Sequence, residues 1–319
     1  MKKAILMGVP HHSNLGDHAI TVAEREFIKK YFPEYSYQEV AEERIHTCIE
    51  QIKKHINNED ILLLHGGGNL GDEYLFIEEG RRKIIEKFLN NKIIVFPETM
   101  YFHEDEKGKR ELEISKTIYN RHPDLTLMAR EEKSYMEMKR VFYNAKVFLT
   151  PDIVTILNEQ RNEKKREGAL FIIRDDGESK LTPEWKEKIK KIVEKNYKTV
   201  SYTDTAKGGF IHEFQRKKEL DSMFEEYRKT ELVITDRLHG MIFAVITGTP
   251  CIALDNYNHK IKYSAKWFED LGYITYIDME KIENIEEIQE EIETLKYGEK
   301  KKYNNQFSIE KFDQVMKNR

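Results

Sequence analysis

Arginine and histidine two residues apart, directly after a short apolar run, are the pair in this chain best suited to bind an anion and move a proton. They are Arg237 and His239, within Thr235-Asp236-Arg237-Leu238-His239-Gly240. A guanidinium presents a planar fork to carboxylate or phosphate, and an imidazole exchanges its proton near neutral pH. The next stretch, Met241-Ile242-Phe243-Ala244-Val245-Ile246, is the most apolar helical pattern in the sequence. A helix that apolar is buried, so its amino end at Leu238 should emerge from the core toward a ligand. Arg174 ends another apolar run, Phe171-Ile172-Ile173; an ion pair with Asp175 or Asp176 is the structural alternative. Lys260, with His259, comes after a third run in a polar loop, where plain solvation competes with a binding role.

A second chemistry lies earlier in the chain. Asn-Leu-Gly-Asp occurs twice, at Asn14 to Asp17 and at Asn69 to Asp72. The amides of Asn14 and Asn69 suit sugar hydroxyls or phosphate oxygens, while Gly16 and Asp17 could simply shape and cap a helix start. His65-Gly66-Gly67-Gly68 precedes the second copy, and successive glycines let backbone N–H groups approach a ligand in a nest at a helix start. Pro97-Glu98-Thr99 puts a carboxylate at another strand end, and Ala129-Arg130-Glu131 puts there either cleft residues or a solvated cation and a helix-start acid. Neither Gly-x-Gly-x-x-Gly nor a P-loop is present, so motif indicates neither a nicotinamide dinucleotide nor ATP. With no His-Glu-x-x-His, Cys-x-x-Cys or Gly-x-Ser-x-Gly, no metal ligand set, no cofactor and no serine hydrolase is indicated.

The elements that must position these residues alternate. Strands are expected at Ala4 to Gly8, Tyr35 to Val40, Asp60 to His65, Lys92 to Pro97, Leu125 to Ala129 and Ala145 to Leu149, with amphipathic helices between them. That is one Rossmann-like domain. After the charged stretch Asn158 to Gly168 comes a second series, at Ala169 to Arg174, Lys198 to Thr203, Leu232 to Thr235, Cys251 to Leu254 and Ile274 to Ile277. The expected organisation is an α/β chain with Rossmann-like domains at 1–160 and 161–281 facing across a cleft, then a charged helical tail at 282–319. Ligands belong at the carboxyl ends of such strands.

Composition removes several function classes. The 53 basic and 57 acidic residues leave a net charge of -4, so no basic field is available for nucleic acid. Cys48 and Cys251 are isolated, which fits a reducing cytoplasm. Met1 to Gly8 reads as a buried strand rather than a signal sequence, and the Met241 to Ile246 run is far short of the roughly 20 residues of a membrane span. Peripheral contact with the inner face of a membrane stays open.

Taken in order, Gly8 to Asp17, Gly66 to Asp72, Asp236-Arg237-Leu238-His239-Gly240 and Asn258-His259-Lys260 resemble the polysaccharide pyruvyl transferase family. The resemblance implies a fold similar to two-domain GT-B-type glycosyltransferases. It also implies a reaction in which phosphoenolpyruvate, as co-substrate, gives its three-carbon unit to two sugar hydroxyls. On that resemblance Arg237, Leu238, His239, Arg174 and Lys260 would hold phosphoenolpyruvate, with His239 and Arg237 catalytic. Asn14, Asp17, Gly67, Gly68, Asn69, Asp72 and Glu98 would face the acceptor sugar, whether free, nucleotide-linked or lipid-linked. The base for the hydroxyl is open among Asp17, Asp72 and Glu98. Many relatives have Pro-Gln-Ser or Pro-Gln-Thr where this chain has Pro97-Glu98-Thr99. A nucleotide-sugar glycosyltransferase and a non-catalytic sugar-binding protein are the competing readings.

Overall fold

The computed structural model describes residues 2–161, 165–174, 181–255 and 259–318. They form two compact units, each built around a parallel sheet.

The first unit comprises Met1–His12, Asp17–Ile156 and Gln306–Arg319. In chain order come β1 (Lys3–Val9), β2 (His12–Asn14, whose Ser13 and Asn14 belong to the second unit), α1 (Leu15–Tyr31, in the first unit from Asp17), β3 (Ser36–Ala41), α2 (Glu42–Lys53), β4 (Ile61–Leu64) and β5 (Gly67–Gly71). They continue with α3 (Leu75–Lys87), β6 (Lys92–Tyr101), α4 (Glu106–Arg121), β7 (Leu125–Ala129), α5 (Glu132–Val141) and β8 (Lys146–Leu149). The strand order is β3-β1-β4-β6-β7-β8, with β5 alongside β6, and neighbouring strands run parallel. Ile61-Leu62-Leu63-Leu64 is buried throughout, as expected of a central strand covered on both faces.

The second unit comprises Ser13–Gly16 and Leu157–Asn305. It contains β9 (Ala169–Ile172), α6 (Pro183–Asn196), β10 (Val200–Tyr202), β11 (Ala206–Phe210), α7 (Glu213–Lys229), β12 (Leu232–Thr235), α8 (Leu238–Thr247), β13 (Cys251–Leu254), α9 (Lys260–Ala265), β14 (Ile274–Ile277) and α10 (Glu286–Tyr297). Its sheet runs β10-β9-β12-β13-β14, and β11 pairs with β2. Every residue of α8 except His239 is buried. The helix stops at Gly248, whose left-handed backbone (φ +66°) is costly for residues with a β-carbon.

Three expectations are corrected. The units divide between Ile156 and Leu157 rather than at 160, and the first domain is not contiguous, because Ser13–Gly16 packs with the second unit; there the Leu15 N–H donates to the Thr205 carbonyl at 2.7 Å. Residues 162–164 of the expected linker lie outside the described residues. The expected helical tail is two helices that pack in different units: α10 buries Ile288, Ile292 and Leu295 in the second unit, whereas α11 (Gln306–Asn318) joins the first. There Phe312 meets Phe27 edge-on at 5.8 Å and Asp313 accepts from Lys30 at 2.9 Å and Tyr31 at 2.6 Å. Each helix carries its own apolar stripe, and each stripe requires a partner.

The glycine segment is the third correction. Gly67–Gly71 is a strand, not a nest at a helix start, and α3 begins only at Leu75. The expected strand ending at Pro97 continues to Tyr101, with a register shift between Val95 and Glu98 that accommodates a residue lacking an N–H. Backbone proximity demands glycine here, since a β-carbon on Gly71 would stand 1.6 Å from the Tyr101 carbonyl oxygen. Gly71→Ala is therefore expected to destabilise the protein by about 3 kcal/mol or more, read as a lowered urea midpoint, with retention of the wild-type midpoint as the contrary result.

Candidate functional site

In the second unit the arginines leave neighbouring strand ends. Ile172 of β9 lies opposite Thr235 of β12. Thr235 Oγ1 donates to the Ile172 carbonyl at 2.8 Å and accepts the Arg237 N–H at 3.0 Å. The buried Asp236 carboxylate accepts the Arg174 N–H at 2.8 Å. Backbone hydrogen bonds from both arginines thus fix where their side chains begin. Residues 175 and 176, the expected ion-pair partners of Arg174, lie outside the described residues.

The Arg237 fork is already engaged. Its Nη2 donates to Asp204 Oδ2 at 2.6 Å and its Nε pairs with Asp204 Oδ1. Asp204 lies after β10, 33 residues from Arg237, and no spacing in the sequence announces it. An incoming anion at Arg237 meets a cation whose charge is partly answered, plus the amino end of α8.

His239 is the second residue of α8, half-buried, with its ring tilted beside Phe243 at 6.2 Å between centroids. Gly16 packs directly on it: a β-carbon there would lie 2.3 Å from His239 Nδ1. Asn14 stands at the same corner, and its Oδ1 accepts the Gly16 N–H at 3.0 Å. The capping role expected of Asp17 therefore falls to Asn14, while Asp17 lies one turn on in the first unit, its Oδ2 3.6 Å from His12 Nε2. Leu238 is buried, and Lys260 opens α9 at a separate strand end, after His259, whose Nδ1 is 2.7 Å from Asp255 Oδ2. Residue 258 of the same loop is not among the described residues.

In the first unit the second Asn-Leu-Gly-Asp is held by charges the sequence did not single out. Arg81, from α3, pairs with Glu98 Oε1 and with Glu78 Oε2 at 2.5 Å. Its guanidinium also holds Asn69, donating to the main-chain carbonyl at 3.3 Å and to the side-chain oxygen. The Asn69 N–H in turn donates to Glu98 Oε2 at 3.1 Å. The Asn69 oxygen is thus committed, and its amide nitrogen lies on the Gly67 side, 3.4 Å from where a β-carbon of Gly67 would be. Asp17 Oδ1 is 3.9 Å from the same point, so Asp17, Gly67 and Asn69 come together.

Glu98 does not face an acceptor. It is fully buried with both oxygens engaged, and it positions Asn69. Burial pushes its carboxyl up to about 7, against the lowering pull of Arg81, the Asn69 N–H, Arg130 and His65. Arg130 is no solvated cation: it is 2% exposed, donates from Nε to Thr99 at 2.8 Å and from Nη1 to Asp152 at 3.1 Å, and leaves no room for a side chain at Gly68. Glu131 caps α5 by accepting the Ser134 N–H at 3.1 Å. Beneath Gly66, His65 Nδ1 is 2.7 Å from Glu24 Oε2 and the Gly66 N–H donates to Glu24 Oε1 at 2.8 Å. Burial would lower the His65 imidazole, but the charge and hydrogen bond of Glu24, with Asp17 and Glu98 beyond, hold it above its ordinary value. Asp72 is committed as well, to the main chain and ring of His103.

Comparison with known proteins places these residues in context. A family model described as Polysaccharide pyruvyl transferase matches residues 14–259. General stress protein 30 of Bacillus subtilis (strain 168) is 38% identical over 288 residues, covering 89% of this chain and 83% of that protein. Pyruvyl transferase 1 of Schizosaccharomyces pombe (strain 972 / ATCC 24843) is 27% identical over 275 residues, covering 80% of this chain and 67% of that one. Among solved structures, the UDP-GlcNAc 2-epimerase of Methanocaldococcus jannaschii in complex with UDP-GlcNAc and UDP aligns with a TM-score of 0.56 at 14% identity, covering 100% of both chains. At that identity the likeness concerns the fold alone, an arrangement of two Rossmann-like units.

The packing at Gly16 and at Glu98 can be tested by stability. Gly16→Ala should displace the His239 ring and cost about 1–3 kcal/mol, measured as a shift in urea midpoint; an unshifted midpoint would contradict the contact. Glu98 and His65 both keep a proton to higher pH when folded than when unfolded, so each contributes stability that is full at low pH and is lost as pH rises. For Glu98 the loss runs from its ordinary 4.5 to about 7, and for His65 from 6.5 upward. The urea midpoint should fall across this range, and Glu98→Gln should flatten the part below about pH 7; an equal slope in wild type and variant would count against the assignment.

Proposed function

This chain belongs to the polysaccharide pyruvyl transferase family, and from that premise we propose that it moves the pyruvyl group of phosphoenolpyruvate onto two hydroxyls of a sugar. The product is a cyclic ketal and the by-product phosphate, in the assembly of a bacterial-type exopolysaccharide, capsule or cell-wall polymer. One observation carries this reading: Arg174 and Arg237 leave paired strand ends of the second unit, and His239 lies within the first turn of the helix that Arg237 introduces. A donor with a carboxylate and a phosphate suits two fixed cations and a helix amino terminus.

A proton from His239 is added to the methylene carbon of phosphoenolpyruvate, making it a methyl group and leaving the adjoining carbon electrophilic. The first hydroxyl oxygen bonds to that carbon and gives up its proton. The bond from carbon to the phosphate oxygen then breaks, its electron pair leaving with phosphate, and the second hydroxyl closes the ring with loss of its own proton. Of the two hydroxyl protons, one replaces that spent on the methyl group and the other departs with hydrogen phosphate. Arg237 stabilises the departing charge, and Asp204 must yield part of its hold for this to occur.

On this reading the second unit takes phosphoenolpyruvate and the first, through Asn69, Gly67 and Asp17, takes the sugar. No helix among the described residues is long and apolar enough to cross a membrane. We assign the reaction to the cytoplasm, with the acceptor sugar free, nucleotide-linked or lipid-linked. The test is phosphate release from phosphoenolpyruvate with simple, nucleotide-linked and lipid-linked sugars, against a UDP-sugar as rival donor. Turnover of the UDP-sugar alone would make the protein a glycosyltransferase, and turnover of neither would make it a binding protein. Arg237→Ala and His239→Ala should each lower turnover by about a hundredfold or more; phosphate release at the wild-type rate in folded variants would remove these residues from the mechanism.

A further inference from the structure

The acceptor hydroxyls must lose protons, and of the three carboxylates that the sequence offered as base, Glu98 and Asp72 are already committed to neighbours. Glu98 is fully buried with both oxygens bonded. Asp17 sits within the first turn of α1, with His12 Nε2 at 3.6 Å from its Oδ2. Asp72 spends its carboxylate on a single neighbour: Oδ1 accepts the His103 N–H at 2.9 Å, and His103 Nδ1 lies 3.0 Å from both Oδ1 and Oδ2.

We propose that His103 is the general base for the acceptor hydroxyl, and that Asp72 is the buried carboxylate that positions it. The dyad has the expected asymmetry of exposure: the Asp72 side chain is 3% exposed and the His103 side chain 42%. A carboxylate that accepts from Nδ1–H fixes the neutral imidazole with its Nε2 lone pair directed away from the acid, which is how a buried aspartate prepares a histidine to take a proton. The dyad stands just beyond two adjacent strand ends. Gly71 and Tyr101 are register partners at the ends of β5 and β6, and Asp72 and His103 are the residues one and two beyond them, three and five residues past Asn69 and Glu98. Tyr101 packs edge-on to the imidazole at 5.1 Å and limits its rotation. The Asp105 carboxylate, which caps α4 by accepting the Gly108 N–H at 2.7 Å, lies within electrostatic reach of the imidazole.

In the transfer step, His103 Nε2 accepts the hydroxyl proton as that oxygen bonds to the electrophilic carbon. It passes the proton to solvent or phosphate before the second hydroxyl closes the ketal. This inference rests on the pyruvyl transfer reading, and its test keeps the two apart. Wild-type protein is assayed first for phosphate release with phosphoenolpyruvate and the sugar panel; no release with any acceptor would overturn the transfer reading and the base with it. With an active wild type, His103→Gln should lower kcat/KM for the acceptor by about a hundredfold and abolish the acid limb of its pH profile, while calorimetry shows phosphoenolpyruvate binding unchanged. An acid limb that persists in His103→Gln overturns the dyad alone. Should that variant fail to fold, NMR of wild-type protein labelled at histidine decides. The His103 signal should report Nδ1–H in the free protein and a shifted Nε2 when acceptor binds; an Nε2–H tautomer or an unmoved signal would overturn the proposal.

Discussion

The pairing of Arg81 with Glu98 in the interior of the first unit is the interaction on which the conformation of β5 depends. Arg81 is 4% exposed, Glu98 and Glu78 are fully buried, and together they hold Asn69 by its main chain and its side chain. Taking charges out of water is costly, and removing one partner of such a set leaves the others uncompensated, typically at about 3–5 kcal/mol. The geometry of β5 is thus fixed by electrostatics from below and by the bare backbone contact of Gly71 with Tyr101 from the side. A glutamate at position 98 is consistent with this arrangement: it answers Arg81 with charge, and its elevated carboxyl shows how hard burial works against it.

The repeated Asn-Leu-Gly-Asp is one string of letters with two structures. In the first copy the helix starts at once, so Asn14 caps it, Gly16 makes room for His239, and Asp17 is carried onto the first turn of α1. In the second copy the chain remains extended, so Asn69 is drawn to Arg81, Gly71 lies against Tyr101, and Asp72 turns to His103. The element that each copy enters, helix or strand, decides the outcome, because backbone conformation sets which way a side chain points. The Arg237 pair with Asp204 makes a related point: an arginine that reads as a ready anion site is, in the fold, already part of an ion pair.

Much of the sheet architecture was legible in the chain. Short apolar runs marked β1, β4, β7, β9, β12, β13 and β14 to within a residue or two at most ends, because burial on both faces of a parallel sheet needs a continuous apolar string and little else. The polar strands were not legible: β5 is mostly glycine, β2 is His12-Ser13-Asn14, and neither has a pattern to betray it. Pro97 hid the true length of β6, and with it His103, which would otherwise have stood out as a histidine at a strand end. Glu78, Arg81 and Arg82 carried a faint signal, acid and base three and four residues apart on one helix, but that spacing is equally common on solvated faces.

The sequence by itself determined the alternation of strands and helices, the buried character of α8, and the residue types able to bind an anion or a sugar, because these arise from side-chain chemistry and short-range period. The tertiary structure alone decided the partners. Asp204 with Arg237, Glu98 with Asn69 and Arg81, His103 with Asp72, and Gly16 against His239 join residues from 17 to 223 positions apart. Whether a given carboxylate caps, pairs or positions a base depends on which charge the fold brings to it, and in a dry interior that neighbour outweighs anything local.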